Sequence, residues 1–261
     1  MTSPPQESLV DVGGYRIWTK LSGTGSPTVV FESGGGDDSS VWSTVEAELR
    51  RQRPVSTFLY DRAGLGKSEA KPGPYRIDDE VDALRTALSA RGVRGPGIVV
   101  SHSYGGFVSL LAAARDSRIT GLVLVDANLP GFFDPDQVGR LQTRFRTVAP
   151  DMERAVPHIA RVMVPIMEAL PATARELRAT ALPAALPVID IMAERSWIDE
   201  PAEVEALHRE HQRFVQASPA REAVFAAGSG HYVMRDRPEL VVAAVVRLID
   251  EHRVDGPSSP N

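Results

Sequence analysis

The stretch Gly97-Ile98-Val99-Val100-Ser101-His102-Ser103-Tyr104-Gly105-Gly106 carries the first decision about the fold. Gly97 to Val100 reads as a short buried strand, and the small-residue run from Tyr104 to Arg115 reads as a helix. A serine between such a strand and helix sits on a sharp, strained turn that presents its hydroxyl at the strand end. The residues two before and two after it must then be small. Ser101 and Gly105 meet that demand.

Outward from this turn, strand alternates with helix. Leu9 to Lys20, Pro27 to Glu32 and Val55 to Asp61 read as strands. Between the last two, Ser39 or Ser40 caps a helix with Val41, Trp42, Val45 and Leu49 on one face. Asp78 to Arg91 is helical, with Val81, Leu84 and Leu88 spaced by three and four. Ile119 to Val125 is almost continuously apolar, as a parallel strand covered on both faces must be. Val188 to Met192 and Arg221 to Ala227 are further strands, followed by helices from Glu200 to Ala217 and from Pro238 to His252. This alternation predicts an α/β fold with a mostly parallel sheet.

The alternation stops between Ala127 and Leu186. Helical stretches follow one another there, broken by Pro150, Pro157, Pro165, Pro171 and Pro183, with large apolar residues such as Phe132, Phe133, Met163 and Met167. The expectation is a helical cap over 127–186 inserted into a core made of 1–126 and 187–255, with a disordered tail at 256–261.

Composition narrows the function. With 43% hydrophobic and 24% charged residues, the 261-residue chain is an ordinary globular protein. Its net charge of −5, without a Lys/Arg cluster, argues against a nucleic-acid partner. The absence of cysteine excludes disulfides, thiolate catalysis and cysteine-bound zinc. Met1 to Ser8 lacks a basic-then-apolar signal pattern, and no apolar run approaches the roughly 18 residues of a membrane span. A cytoplasmic protein is the expectation; the oligomeric state is left open.

A serine hydroxyl needs a base to take its proton. Of six histidines, His231 follows the last strand in Gly228-Ser229-Gly230-His231, where small residues let the loop reach over the sheet edge. His208 and His211 fall on a helix that reads as exposed, His158 lies in the cap, and His252 is near the terminus. His102 adjoins Ser103, but the turn should direct it away.

These residues together resemble the α/β-hydrolase family, from about Leu9 to Asp250. Asp61-Arg62-Ala63-Gly64-Leu65-Gly66-Lys67-Ser68 is similar to the family's aspartate-and-glycine turn. Ser33-Gly34-Gly35 stands where the family has His-Gly and an oxyanion-hole residue. The resemblance implies that Gly35 and Tyr104 supply the two oxyanion N–H groups. Ser33 replaces the usual histidine, which leaves a backbone role intact and removes a side-chain one. The alternative for the glycine run, a phosphate cradle, lacks the Lys-Ser/Thr and spacing of such loops.

The family's acid normally follows the strand Val188 to Met192. Ser196 occupies that place and has no negative charge to offer; Glu194 and Asp199 are nearby substitutes. Asp126, at the end of the Leu122-Val123-Leu124-Val125 strand, lies at the carboxyl edge of the sheet, where such folds bind ligands. Asp126 is therefore the expected acid.

The resemblance implies a serine esterase or lactonase, similar to bacterial enzymes some of which open macrolide rings, and acting without metal or organic cofactor on a small-molecule ester or lactone. Relatives that open epoxides or displace halide use aspartate at the turn, which Ser103 disfavours. Thioesterase, amidase and carbon–carbon bond hydrolase activity remain alternatives, as does a receptor that binds its ligand without turnover.

Overall fold

Gly13 and Gly14 split what the sequence presents as one strand from Leu9 to Lys20. In the computed structural model, which describes residues 5–254, the chain instead folds back on itself as a hairpin of β1 (Gln6–Asp11) and β2 (Arg16–Ser22). Both glycines take positive φ, and both donate backbone N–H groups to Asp11 Oδ1, at 2.9 and 3.0 Å. A turn residue at positive φ costs glycine little, and this pair is what makes the reversal.

Six strands then run parallel: β3 (Thr28–Glu32), β4 (Ser56–Tyr60), β5 (Gly97–His102), β6 (Ile119–Val125), β7 (Val188–Ala193) and β8 (Arg221–Ala226). The sheet order is β1-β2-β4-β3-β5-β6-β7-β8. β2 pairs antiparallel with β4, so the hairpin closes one edge of the parallel sheet.

Strand side chains alternate between two buried layers, as the two-residue period requires. Val30, Val99, Leu122 and Leu124 pack with α2 (Ile77–Ala90) and α3 (Gly105–Arg115). Phe31, Ile98, Val100, Val123 and Val125 pack on the other face with α1 (Ser43–Gln52) and α8 (Pro238–Val254). Leu84, on α2, is fully buried. Truncating such a side chain removes its contacts and leaves a void. Leu84→Ala is expected to lower the unfolding free energy by about 2–5 kcal/mol, seen as a lower urea midpoint with an unchanged slope.

Asp38, not Ser39 or Ser40, caps the turn before α1, accepting from the Ser40 N–H at 2.9 Å. Between β6 and β7 there are two long helices, α4 (Pro135–Ala155) and α5 (Pro157–Ala179), and not a series of short ones. Pro150, Pro165 and Pro171 lie inside them. An interior proline removes a backbone hydrogen bond, but α5 buries Ile166, Leu170, Ala174 and Leu177 as one stripe. Continuous burial on one face outweighs the local preference to break. Between β7 and β8 lies α6 (Pro201–Gln216), and the single turn α7 (Val233–Asp236) follows β8.

The expected boundary at 255 and the expected disorder of 256–261 fall outside the described residues. Among the described residues, no helix is long and apolar enough to cross a membrane.

Candidate active site

β5 ends at His102, and the chain turns through Ser103 into α3. Ser103 has φ +52°, a left-handed conformation that a side chain adopts only when its surroundings enforce it. Here its N–H donates to Val125 O at 3.3 Å, and its carbonyl accepts from Gly106 N at 3.0 Å and Asn128 N at 2.8 Å. The need for small neighbours is visible. A methyl group on Gly105 would lie 2.6 Å from the Ser33 carbonyl oxygen. Ser101 fits because its hydroxyl pairs with that of Ser109 at 2.8 Å.

Across the sheet edge, His231 Nδ1 donates to Asp126 Oδ2 at 2.6 Å. These residues are 105 positions apart in the chain. Asp126 also has positive φ, +41°, with its N–H bonded to Ile191 O at 2.7 Å. Its carboxylate is buried yet well supplied. Oδ1 accepts from Ala193 N at 3.2 Å, and Oδ2 accepts from Ser196 Oγ at 2.6 Å. Burial alone would raise the Asp126 pKa, but the hydrogen bonds from His231 and Ser196 hold it below the ordinary aspartate value. Ser196, an uncharged residue after β7, thus donates to Asp126.

Neither fallback carboxylate meets the imidazole in this way. Glu194 accepts from the Gly228 N–H at 2.8 Å, steadying the loop that leads to His231. Asp199 is exposed.

His102 is not directed away from the site. Its ring centroid lies 4.4 Å from that of His231, and its Nε2 donates to the His231 carbonyl oxygen at 3.0 Å. It is 1% exposed, and burial, reinforced by the nearby His231, pushes its pKa down to about 3. Between pH 3 and the pKa of about 6.5 of an unfolded histidine, the unfolded chain binds the extra proton. Neutral His102 therefore contributes stability above that window and loses it as pH falls. His102→Gln is expected to flatten the decline in melting temperature between pH 7 and 4, followed by calorimetry. An unchanged decline would mean that other groups carry it.

His211 departs from its expected exposure. It is buried on α6, with Nδ1 2.7 Å from Asp190 Oδ2 on β7. Burial works against its charge, but the Asp190 carboxylate raises its pKa above the ordinary value. Asp190 in the middle of an apolar strand is the sequence signal for this pair, since a buried charge needs a partner.

Ser103, Tyr104, His231, Gly35 and Gly36 border one cavity of about 330 Å³. α4 and α5 supply much of its wall through Leu141, Met163, Ile166 and Leu170, and Phe107, Phe133 and Trp197 extend the apolar surface. Asp37, His102, Asn128 and Tyr232 are its other polar neighbours, and no lysine or arginine is among the described residues that line it. Gly35 and Gly36 fit tightly beneath α5: an added methyl would come within 2.9 Å of Met163 Sδ at the first and 2.8 Å of Ile159 Cγ2 at the second.

A mostly parallel sheet with a strained serine turn at one strand end, and a histidine–carboxylate pair at the neighbouring ends, defines an α/β hydrolase architecture. The chain matches the alpha/beta hydrolase family over residues 29–244 and belongs to it. Among curated relatives, the uncharacterized protein YqjL of Bacillus subtilis (strain 168) is 33% identical over 150 residues, or 55% of this chain and 58% of YqjL. The chain spans less than two thirds of the curated relatives it first matches. Among solved structures, a thermophilic esterase from Thermogutta terrifontis is 20% identical, with TM-score 0.64 over 95% of this chain and 99% of that one. The haloalkane dehalogenase DbeA from Bradyrhizobium elkani USDA94 is 16% identical, with TM-score 0.72 over 96% and 99%. At these identities the likeness is one of fold.

Proposed function

We propose that this chain hydrolyses carboxylic esters or lactones through a covalent acyl-serine intermediate. The observation that carries the reading is that Ser103, at φ +52°, and His231, held from behind by Asp126, border one apolar cavity. In the proposed cycle, His231 takes the Ser103 proton as Oγ attacks the substrate carbonyl. The carbonyl oxygen becomes an oxyanion held by the Gly35 and Tyr104 N–H groups, each such donor contributing roughly 2.7–4 kcal/mol in comparable enzymes. Protonated His231 then gives its proton to the departing alkoxide. Water, deprotonated by the same imidazole, releases the acid and restores Ser103. Asp126 holds the imidazole in the required tautomer and balances its transient charge. The cycle calls on no metal or organic cofactor.

The lining supports an uncharged, apolar substrate, because an anionic group would find no basic side chain there while Asp37 repels it. Macrolide lactones fall within the same chemistry. In this reading, residues 127–186 form a helical cap over a core of 1–126 and 187–255, and the protein acts in the cytoplasm. Serine at the turn sets the chain apart from dehalogenase and epoxide chemistry, for which the family uses aspartate.

Purified protein presented with p-nitrophenyl esters of increasing acyl length, simple lactones and macrolides tests this directly. Multiple turnovers on neutral apolar esters or lactones are expected. Release of at most one equivalent across the whole panel would point to a non-turnover receptor, and turnover only of thioesters or amides would point to those classes.

A further inference from the structure

Arg62 follows β4 in the glycine turn Asp61–Ser68, yet its side chain is only 2% exposed. The guanidinium points at the loop that carries Gly35. Nη1 donates to the Ser33 carbonyl at 2.6 Å and to Glu32 Oε1 at 2.6 Å. Nη2 donates to the Gly34 carbonyl and, at 2.9 Å, to that of Gly35. Nε faces Glu80 Oε2 at 3.2 Å. The same cation lies over the Tyr104 ring, 5.2 Å from its centroid.

Three consecutive carbonyls aimed at one buried cation constrain more than the carbonyls. In a planar trans peptide, the C=O and the following N–H point in opposite directions. Gripping Gly34 O therefore turns the Gly35 N–H away from Arg62, and gripping Gly35 O does the same for the Gly36 N–H. Gly35 and Gly36 border the cavity that holds Ser103. A run of three glycines has no side chain to hold its own peptide planes and the widest choice of backbone states. Something outside the run has to choose among them.

We propose that Arg62 is a positioning residue for the oxyanion donors: it clamps the peptide planes of the Gly34-Gly35-Gly36 loop so that their N–H groups face the oxygen developing at Ser103, and it braces Tyr104, which carries the second donor. The proposal rests on the acyl-serine reading above. What the site requires is the flat, forked donor set of arginine, which reaches the Ser33, Gly34 and Gly35 carbonyls at once. Lysine supplies a point charge and cannot span three carbonyls.

Arg62→Lys separates these roles. Expected is a folded protein, checked by circular dichroism and melting temperature, whose kcat falls roughly ten- to a hundredfold, somewhat less than for outright loss of a donor. KM is expected to stay within about twofold of wild type. Affinity for an alkyl boronic acid, which forms a tetrahedral anion on the serine, should fall by the same factor as kcat. A merely structural role would not single out the tetrahedral ligand. Should Arg62→Lys fail to fold, the triple variant Arg62→Met/Glu32→Gln/Glu80→Gln, which leaves neither carboxylate without its cation, is measured in the same way with the same expectation. Wild-type kcat and boronate affinity in a folded variant overturn the proposal.

Amide resonances of Gly35 and Gly36 provide a readout that needs no turnover. They shift in Arg62→Lys if the clamp operates, and unchanged shifts overturn it. Failure of wild-type protein to react with esters or with a serine-directed phosphonate is a different result, which overturns the acyl-serine reading itself.

Discussion

Ser103→Ala is expected to abolish ester turnover, with kcat falling about a millionfold, the size of the loss when the nucleophile of a well-studied serine protease is removed. The residue change deletes one oxygen at a half-exposed position, so the fold should survive. Alanine also tolerates the φ of +52° no better than serine does, and the enforcing bonds come from backbone groups that remain. Circular dichroism and urea unfolding should therefore match wild type within experimental scatter. Activity surviving at a hundredth of wild type or more, on enzyme free of wild-type contamination, would place the nucleophile elsewhere. His231→Ala should cost about as much as the serine change, because the members of such a unit do not contribute additively.

The second large effect concerns the acid. Asp126→Asn keeps the shape of the side chain but removes its charge and can reverse the hydrogen bond to His231 Nδ1, favouring the wrong imidazole tautomer. A loss of about 10⁴ in kcat is expected, as for the corresponding change in a serine protease. Glu194→Gln and Asp199→Asn should be far milder. Glu194 contacts the Gly228 amide instead of the imidazole, and Asp199 is exposed. Ser196→Ala should fall between these extremes, because it takes one of three donors from the Asp126 carboxylate and leaves the 2.6 Å bond to His231 in place. Asp126 has a lowered pKa, so it keeps its charge to lower pH when folded than when unfolded. Its stabilising contribution is present above the unfolded value and is lost as pH falls through the folded one. All four variants are compared on one activated ester at neutral pH, after equal folding is established. Near-normal turnover by Asp126→Asn alongside loss in Glu194→Gln or Asp199→Asn would move the acid to the segment after β7.

What the sequence makes legible is whatever its local pattern encodes. The apolar runs of β5 and β6 announce a buried parallel sheet, and the Ser101-to-Gly106 turn announces its geometry through its small residues, although the crowding at Gly105 that requires them comes from Glu32 and Ser33 at the end of β3. Asp126 stands out by contrast with the uncharged Ser196, and the structure brings it to His231 across 105 positions. The misreadings share a different cause. Pro165 and Pro171 argue for helix ends, while the packing of α5 that overrides them is tertiary. Gly13-Gly14 carried a turn signal that the surrounding strand-like residues obscured. His211 looks like a surface residue until Asp190 is seen beneath it, and His102 looks remote from the site until the His231 loop folds over it. In the sequence Arg62 stands out only as part of the Asp61-to-Ser68 turn; its grip on the Ser33, Gly34 and Gly35 carbonyls exists only once β4 lies beside β3.

The central claim is that Ser103 is the nucleophile of a covalent hydrolase, and covalent capture tests it most directly. Wild-type protein treated with a fluorophosphonate should gain the mass of one adduct, and peptide mapping should place that adduct on Ser103. Ser103→Ala should gain none. An adduct mapped to any other residue, or equal labelling of wild type and Ser103→Ala, would contradict the account.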